Sequence, residues 1–230
     1  MRFNLIDEKW IPVIRRDGTR EWIAPWEVTE RFIENPVAAL NAPRPDFNGA
    51  FIQFLVGLVQ TVAAPERRSE WKKKLEELPL PQELKAAFDT VRHAFELGGE
   101  GPRFMKDFDS LTGKESKIDG LLIADPGENA LKNNTDFFVK RKIDGFSMCL
   151  SCCTSAVLTL QINAPAGGRG YMTSLRGGGP LTTIIGCTDE KFHSLWRTLW
   201  LNVLEVNKFN GLANSAFVDL RYQFPWLTKH

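Results

Sequence analysis

The stretch Asp46–Val62, DFNGAFIQFLVGLVQTV, decides the fold class of this chain. Apolar side chains recur in it at intervals of three and four residues, which places them on one face of an α-helix. They are Phe47, Phe51, Phe54, Leu55, Leu58, Val59 and Val62. Ile52 and Val56 lie off that face, so the sequence predicts a helix that is buried on nearly all sides and ends before Pro65.

The residues before this helix have the pattern of strands. Residues 2–6 are short and extended, and residues 10–23 predict a β-hairpin with Asp17-Gly18 as a two-residue turn. The region between Pro25 and Pro45 has room for one short helix near residues 26–33.

The residues after the central helix predict further helices and then loops. A charged helix is expected over residues 68–78, and an amphipathic one over residues 81–97 with Leu84, Phe88, Val91 and Phe95 inward. Strands are expected at residues 118–124 and 181–185, residues 154–161 suit either a strand or a helix, and Asp189 is expected to cap a final helix. We therefore predict an α+β fold, a mixed domain with a β-hairpin start, several packed helices and long loops.

Composition excludes several classes of protein. The chain has 230 residues with 43% apolar residues and a formal net charge of +1, which argues against disorder and against coating nucleic acid through a global field. Its longest apolar run is about a dozen residues, whereas a membrane span needs about 20. No signal peptide is visible and four cysteines are too few for a disulfide scaffold. A globular cytoplasmic protein that contacts no membrane is expected.

The sequence contains few residues in arrangements known from catalysis. The three histidines, His93, His193 and His230, are far apart and have no nucleophile arrangement near them, and His93 is expected to be merely exposed. The Gly113-Lys114 pair lacks the rest of a phosphate-binding loop, and residues 167–170 follow no clear strand. The sequence therefore favours a protein that is not an enzyme.

Cys149 and Cys152 have the two-residue spacing of a zinc knuckle, which lets both thiolates face one ion. A closed structural zinc site needs four ligands, and the chain has no second Cys-x-x-Cys. Three interpretations remain open: half of a zinc site, a redox pair, or two cysteines that only pack.

Positive charge is concentrated between residues 132 and 176, where six basic residues stand against two acidic ones. The basic residues are Lys132, Lys140, Arg141, Lys142, Arg169 and Arg176, interleaved with Phe137, Phe138 and Tyr171. Cations suit phosphates and aromatic rings stack on bases, so this pattern is typical of a nucleic-acid contact. A solvated loop with core-facing phenylalanines is the alternative.

Several segments, in order along the whole chain, resemble one known family. They are Asn4-Leu5-Ile6-Asp7 with Trp10-Ile11-Pro12-Val13, Phe104-Met105 after Pro102, Phe138-Val139, Cys149-x-x-Cys152, the glycine loop, Ser174-Leu175-Arg176-Gly177-Gly178-Gly179-Pro180-Leu181-Thr182-Thr183, and Leu201-Asn202-Val203-Leu204. The chain resembles the CasA family, the large subunit of the type I-E CRISPR surveillance complex, Cascade. The resemblance implies a non-catalytic subunit that lies next to the 5′ handle of the CRISPR RNA. It also implies detection of the protospacer-adjacent motif in target double-stranded DNA and recruitment of the helicase-nuclease.

The resemblance also assigns roles to individual residues. Phe138, Val139 and Lys140 match the segment that contacts the RNA handle, and Gly167, Gly168, Arg169 and Gly170 match the glycine loop at the minor groove of the adjacent motif. Arg141, Lys142 and Arg176 are expected to make further nucleic-acid contacts. Cys149 and Cys152 match the first half of a family zinc site, so zinc is the expected cofactor.

Two features depart from the family pattern. Arg169 stands where a glycine is expected, and the family's lysine and glutamine reading elements and its C-terminal helical bundle have no counterpart in these residues. Residues 1–230 are therefore expected to be the N-terminal, incomplete domain of a longer subunit whose partners are the other Cascade subunits. The alternative function is a structural zinc-binding scaffold that contacts only proteins.

Overall fold

The structure, a computed structural model, describes residues 3–106, 118–122, 132–133, 147–163, 183–190, 192–208 and 223–227. The chain divides into two compact units. One comprises Met1–Ser110 with Thr182–His230, and the other is Leu111–Leu181. Strands and helices occur together in the first unit, so the predicted α+β class is confirmed.

A three-stranded antiparallel sheet begins the first unit. Strands β1 (Ile11–Arg15) and β2 (Arg20–Ile23) form the predicted hairpin. Its loop has three residues and not two, because the Arg15 N–H donates to the Thr19 carbonyl at 2.8 Å. Gly18 takes a left-handed backbone conformation with φ of 87° at the end of that loop, a conformation glycine adopts without steric cost.

The third strand, β3 (Val37–Leu40), completes the sheet in the order β2-β1-β3 and is absent from the sequence prediction. It pairs Val13 with Leu40. Pro12 lies in the central strand and donates no ladder hydrogen bond, but its carbonyl accepts the Asn41 N–H at 2.8 Å. The helix expected in this region is a short 3-10 helix, Pro25–Thr29.

Helix α1 (Pro45–Val62) forms the centre of the core, as predicted. Phe51 and Phe54 pack their rings 5.2 and 5.3 Å from the Trp10 ring, measured between centroids. Ile52 lies off the main apolar face and is only 8% exposed, but Val56 is half-buried and Gly57 is exposed, so α1 is buried on more than one side and not on nearly all sides. Among the described helices, none has the length and apolar character needed to cross a bilayer.

The predicted strand at residues 2–6 is wrong in the part that the structure describes. Asn4 makes a single isolated bridge with Glu96, and turns follow it. The Asn4 side chain accepts the Ile6 N–H at 2.9 Å and donates to the Arg92 carbonyl at 3.0 Å. Residues 3–6 are therefore held by the Asn4 side chain and the isolated bridge, and they form no strand.

Helix α2 (Arg68–Glu76) is confirmed, whereas the helix predicted over residues 81–97 is divided. Helix α3 (Pro81–Asp89) ends where Thr90 donates its hydroxyl to the Ala87 carbonyl at 2.6 Å, and a 3-10 helix, Arg92–Phe95, follows. The side chains predicted to face inward are all buried: Leu84, Phe88, Val91 and Phe95. His93 is exposed, as expected.

Helix α5 (Leu195–Leu201) is capped by Ser194 and not by Asp189. The Ser194 hydroxyl accepts the Arg197 N–H at 3.3 Å, and Phe192, between Asp189 and this cap, is 55% exposed. The rings of Trp196 and Trp200 stack 5.4 Å apart. Residues 183–185, part of a predicted strand, belong to no strand.

The second unit contains helix α4 (Leu150–Asn163), which decides the ambiguous residues 154–161 in favour of a helix. The hydroxyls of Thr154 and Thr159 donate to carbonyls four residues back, at 2.8 and 2.7 Å. These bonds satisfy the hydroxyls of two β-branched residues, the residue type that favours a strand. The strand predicted over residues 118–124 is wrong where described, because Ile118–Leu121 is a 3-10 helix.

Candidate functional site

Cys149 and Cys152 lie at the start of helix α4. Cys149 directly precedes the helix, its carbonyl accepts the Cys153 N–H at 2.9 Å, and its Sγ accepts the Cys152 N–H at 3.4 Å. Cys149 is exposed, while Cys152 is half-buried. The two-residue spacing thus places both thiols on the first turn, where unpaired backbone N–H groups and the helix dipole favour negative charge.

The two thiols differ in acidity. The hydrogen bond from the Cys152 backbone N–H lowers the pKa of Cys149 below its ordinary value. Desolvation, together with the hydrogen bond and charge of Cys149, raises the pKa of Cys152 to about 11. Cys149 is therefore the thiol that ionises first, which suits both a metal ligand and a nucleophile.

The donor set fits half of a structural zinc site. Two thiols on one helical turn match the first arm of a four-cysteine centre, in which each Zn–S distance is about 2.3 Å. Within the described ranges, no group of three or more His, Cys, Asp or Glu side chains could hold a metal ion. Cys149 and Cys152 would supply two ligands, and zinc would stabilise this turn only with further ligands.

The other predicted site residues lie outside the described residues. These are Phe138, Val139, Lys140, Arg141, Lys142, Gly167, Gly168, Arg169, Gly170 and Arg176. Of the basic residues in the same region, Lys132 is described and is exposed. The predictions for this group stay predictions.

An open cavity of about 400 Å³ lies beside the sheet, and the sequence did not predict it. Trp22, 42% exposed, contributes to its wall with Pro12 of the central strand and Pro43 beyond β3. The sequence indicated one wall of this cavity, because Trp22 lies at an outward-facing position of β2. It did not indicate the other wall, because β3 and the residues after it were not predicted. The lining of the cavity combines this apolar surface with charged side chains, among them Arg20 and Glu21.

The guanidinium of Arg15, the last residue of β1, is fully buried. It forms ion pairs with the carboxylates of Glu21 and Glu30, and donates to the carbonyls of Glu30 and Asn35 at 2.9 Å each. This network ties both hairpin strands to the turn before β3. Arg15 is thus a structural cation, with four of its five N–H donors bonded within the fold.

The fold and the cysteine turn, residues 149–152 at the start of helix α4, define a class of protein: an α+β domain with a Cys-x-x-Cys motif at the N-terminus of a helix. The sequence profile of the family described as CRISPR-associated protein Cse1 matches residues 4–230. The chain belongs to this family, which confirms the resemblance to CasA.

Solved structures of the family share the fold. Thermobifida fusca Cse1 matches 91% of this chain with a TM-score of 0.65 and 20% identity, over 40% of its own length. Thermus thermophilus CasA (Cse1) matches 88% with a TM-score of 0.61 and 20% identity, over 39% of its length. A chain of a CRISPR RNA-guided surveillance complex matches 88% with a TM-score of 0.62 and 16% identity, over 43% of its length. The present chain thus spans about two fifths of the proteins it matches.

Proposed function

We propose that this chain is a non-catalytic part of the large subunit of an RNA-guided DNA surveillance complex. Its partners in this role are the CRISPR RNA, the other Cascade subunits, target double-stranded DNA and the helicase-nuclease. The observation that carries the proposal is the family match over residues 4–230, supported by the fold likeness to a chain of a surveillance complex. The absence of a recognised nucleophile arrangement in the sequence agrees with a role in binding.

The basic and aromatic segment is the proposed contact with the RNA handle. Phe138 would stack on a base or ribose beside Val139, while Lys140, Arg141 and Lys142 contact phosphates. Arg176 is proposed to make a further phosphate contact. The support is the interleaving of planar and cationic side chains in a chain whose net charge is only +1.

The glycine loop is the proposed contact with the protospacer-adjacent motif. Gly167, Gly168 and Gly170 lack side chains, so their backbone can approach a minor groove closely. Arg169 is proposed to contact a neighbouring phosphate. The minor groove carries a degenerate base code, so recognition here would tolerate several related motifs.

Zinc is proposed as a structural cofactor held in part by Cys149 and Cys152. The thiols on one turn and the lowered pKa of Cys149 support it. We expect the 230-residue chain by itself to hold zinc weakly, because two ligands do not close a tetrahedral site.

Titration of a labelled duplex DNA at two salt concentrations separates this proposal from a scaffold that contacts only proteins. Measurable binding that weakens as salt rises supports a nucleic-acid subunit. Absence of binding at low salt favours the scaffold. Duplexes with and without the adjacent motif, titrated against the assembled complex, then test whether the motif is read.

A further inference from the structure

The outer face of helix α2 carries cations that fold stability does not explain. Arg67, Arg68 and Lys72 are exposed, and none forms an ion pair within the part of the chain that the structure describes. The neighbouring lysines are paired: Lys73 with Glu77 at 3.7 Å and Lys74 with Glu70 at 3.1 Å.

The outermost charges of α2 are the reverse of what the helix dipole favours. Arg67 is the N-cap and Arg68 the first residue of α2, where the dipole favours anions. Glu76 and Glu77 lie at the C-terminal end, where it favours cations. These outermost charges thus oppose the dipole, whereas Glu70 in the first turn and Lys73 and Lys74 in the last turn follow it.

The inner side of α2 is held in place by indole hydrogen bonds. Trp71 donates its Nε1–H to the Val203 carbonyl at 3.0 Å, and Trp200 donates to the Trp71 carbonyl at 2.8 Å. The Lys74 ammonium lies 5.6 Å from the Trp200 ring centroid. These contacts fix the rotation of the helix, so Arg68 and Lys72, four residues apart, project from the same outer face.

We propose that this outer face of α2, presented by Arg67, Arg68 and Lys72, binds the phosphate backbone of nucleic acid. The inference rests on the proposed function and adds a contact that is separate in sequence from the segments assigned above. Exposed cations with flexible stems that form no ion pair within the described residues suit a polyanion, and such contacts position a protein without reading sequence. The nearest acidic residues are Glu66, Glu70 and Glu76. Glu70 pairs with Lys74 at 3.1 Å, and Glu76 follows Lys72 by one helical turn.

The test is a double variant, Arg68→Gln with Lys72→Gln. Its matched control is Arg20→Gln with Arg103→Gln, which removes the same charge from two other exposed positions of the same unit. The probes are a 30-base-pair duplex DNA and a 30-nucleotide single-stranded RNA, each titrated between 50 and 200 mM salt. We expect the slope of log K against log salt to fall by about 1.8 on the duplex or about 1.4 on the single strand. The control keeps the slope of the unaltered chain.

The outcomes distinguish this face from the proposed function as a whole. A reduced slope on either probe supports the face and identifies the nucleic acid that it contacts. An unchanged slope in a chain that still binds overturns the face and leaves the proposed function standing. If the unaltered chain binds neither probe, both ideas fail. If the double variant loses only its association with other subunits, α2 contacts an acidic protein surface and the phosphate proposal is overturned.

Discussion

The side-chain amide of Asn202 holds the backbone of Ile185 at both of its polar groups. Asn202 Oδ1 accepts the Ile185 N–H at 2.9 Å, and its Nδ2 donates to the Ile185 carbonyl at 2.8 Å. Gln60 does the same to Leu204, accepting its N–H at 2.7 Å and donating to its carbonyl at 3.1 Å. Two amide side chains thus join helix α1, the end of α5 and the segment at Ile185 without any strand pairing.

Replacing Asn202 should therefore lower stability more than its half-exposed position suggests. Asn202→Ala removes both bonds to Ile185 and a third, at 2.7 Å, to the Thr198 carbonyl. We expect a loss of about 1–3 kcal/mol in the free energy of unfolding, measured by urea denaturation. Asn207→Ala, at an exposed position, is the control. Equal denaturation midpoints for the two variants would show that the Asn202 side-chain hydrogen bonds do not stabilise the fold.

Arg15 is the second position where a polar side chain supports the fold. Arg15→Ala should cost about 3 kcal/mol, because it leaves Glu30 without its cation, Glu21 with Arg31 alone, and two carbonyls without a donor. Thermal and urea unfolding both measure this loss.

The matched control for Arg15 is Arg20→Ala in the adjacent strand. Arg20 is exposed, so its removal should change the free energy of unfolding by no more than about 0.5 kcal/mol. A similar loss for both variants would mean that the buried ion pairs are not what Arg15 contributes.

The sequence predicted those elements whose side chains alone specify them. Helix α1 follows directly from apolar residues spaced three and four apart, and the hairpin follows from Asp17-Gly18 between two apolar runs. In both, the local pattern and the tertiary packing favour the same structure, so periodicity was sufficient.

The elements that escaped prediction depend on distant contacts. Strand β3 contains two alanines, which favour no strand, and it forms because β1 offers a free edge. Residues 3–6 resembled a strand, but the Asn4 side chain pairs with residues around position 92. Neither contact has a signal in the local sequence.

The sequence predicted the candidate site only where the residue type and spacing of a short motif identify its members. The Cys-x-x-Cys spacing located Cys149 and Cys152, and the structure adds that they start a helix and differ in pKa. Whether a pair of thiols gains two more ligands depends on residues remote in sequence, so spacing alone left three interpretations open.

The cysteine turn predicts an ordered pattern of alkylation. Because the thiolate is the nucleophile, Cys149 should react first with iodoacetamide, and its rate should rise as pH passes through a pKa below that of an ordinary thiol. Cys152, with a pKa of about 11, should stay unmodified between pH 6 and 9. Peptide mapping by mass spectrometry after brief labelling measures both. Faster labelling of Cys152 would contradict this assignment, and added zinc should protect Cys149 if the pair binds metal.

Phe138→Ala tests the proposed contact with the RNA handle. Stacking of an aromatic ring on a base contributes about 1–3 kcal/mol, so this variant should join the RNA-bound complex about tenfold less well while its melting temperature stays nearly unchanged. Size-exclusion chromatography with labelled RNA and a thermal melt give the two readings. Phe88→Ala, at a fully buried ring, is the contrast and should lower the melting temperature strongly. If Phe138→Ala behaves like Phe88→Ala, Phe138 belongs to the core and the docking role is wrong.

The glycine loop gives the most specific prediction. Gly168→Asp or Gly170→Asp brings bulk and negative charge to a backbone that is proposed to lie against DNA, and each should abolish binding of the assembled complex to duplexes that carry the adjacent motif. Gly186→Asp is the matched control, because a Cβ added at Gly186 meets no other atom within 4 Å. It adds the same charge in open space and should leave motif binding unchanged.

Arg169 should behave differently from the glycines beside it. A cation that contacts phosphate positions the protein without reading bases, so Arg169→Ala should weaken motif and non-motif duplexes by similar factors. It should also reduce the salt slope by roughly one. Titration of the assembled complex against both duplexes at several salt concentrations measures the two effects. A loss confined to the motif duplex would show that Arg169 reads base edges. Unchanged binding by both aspartate variants would remove the loop from the DNA interface, and the adjacent motif would then have to be recognised elsewhere in the complex.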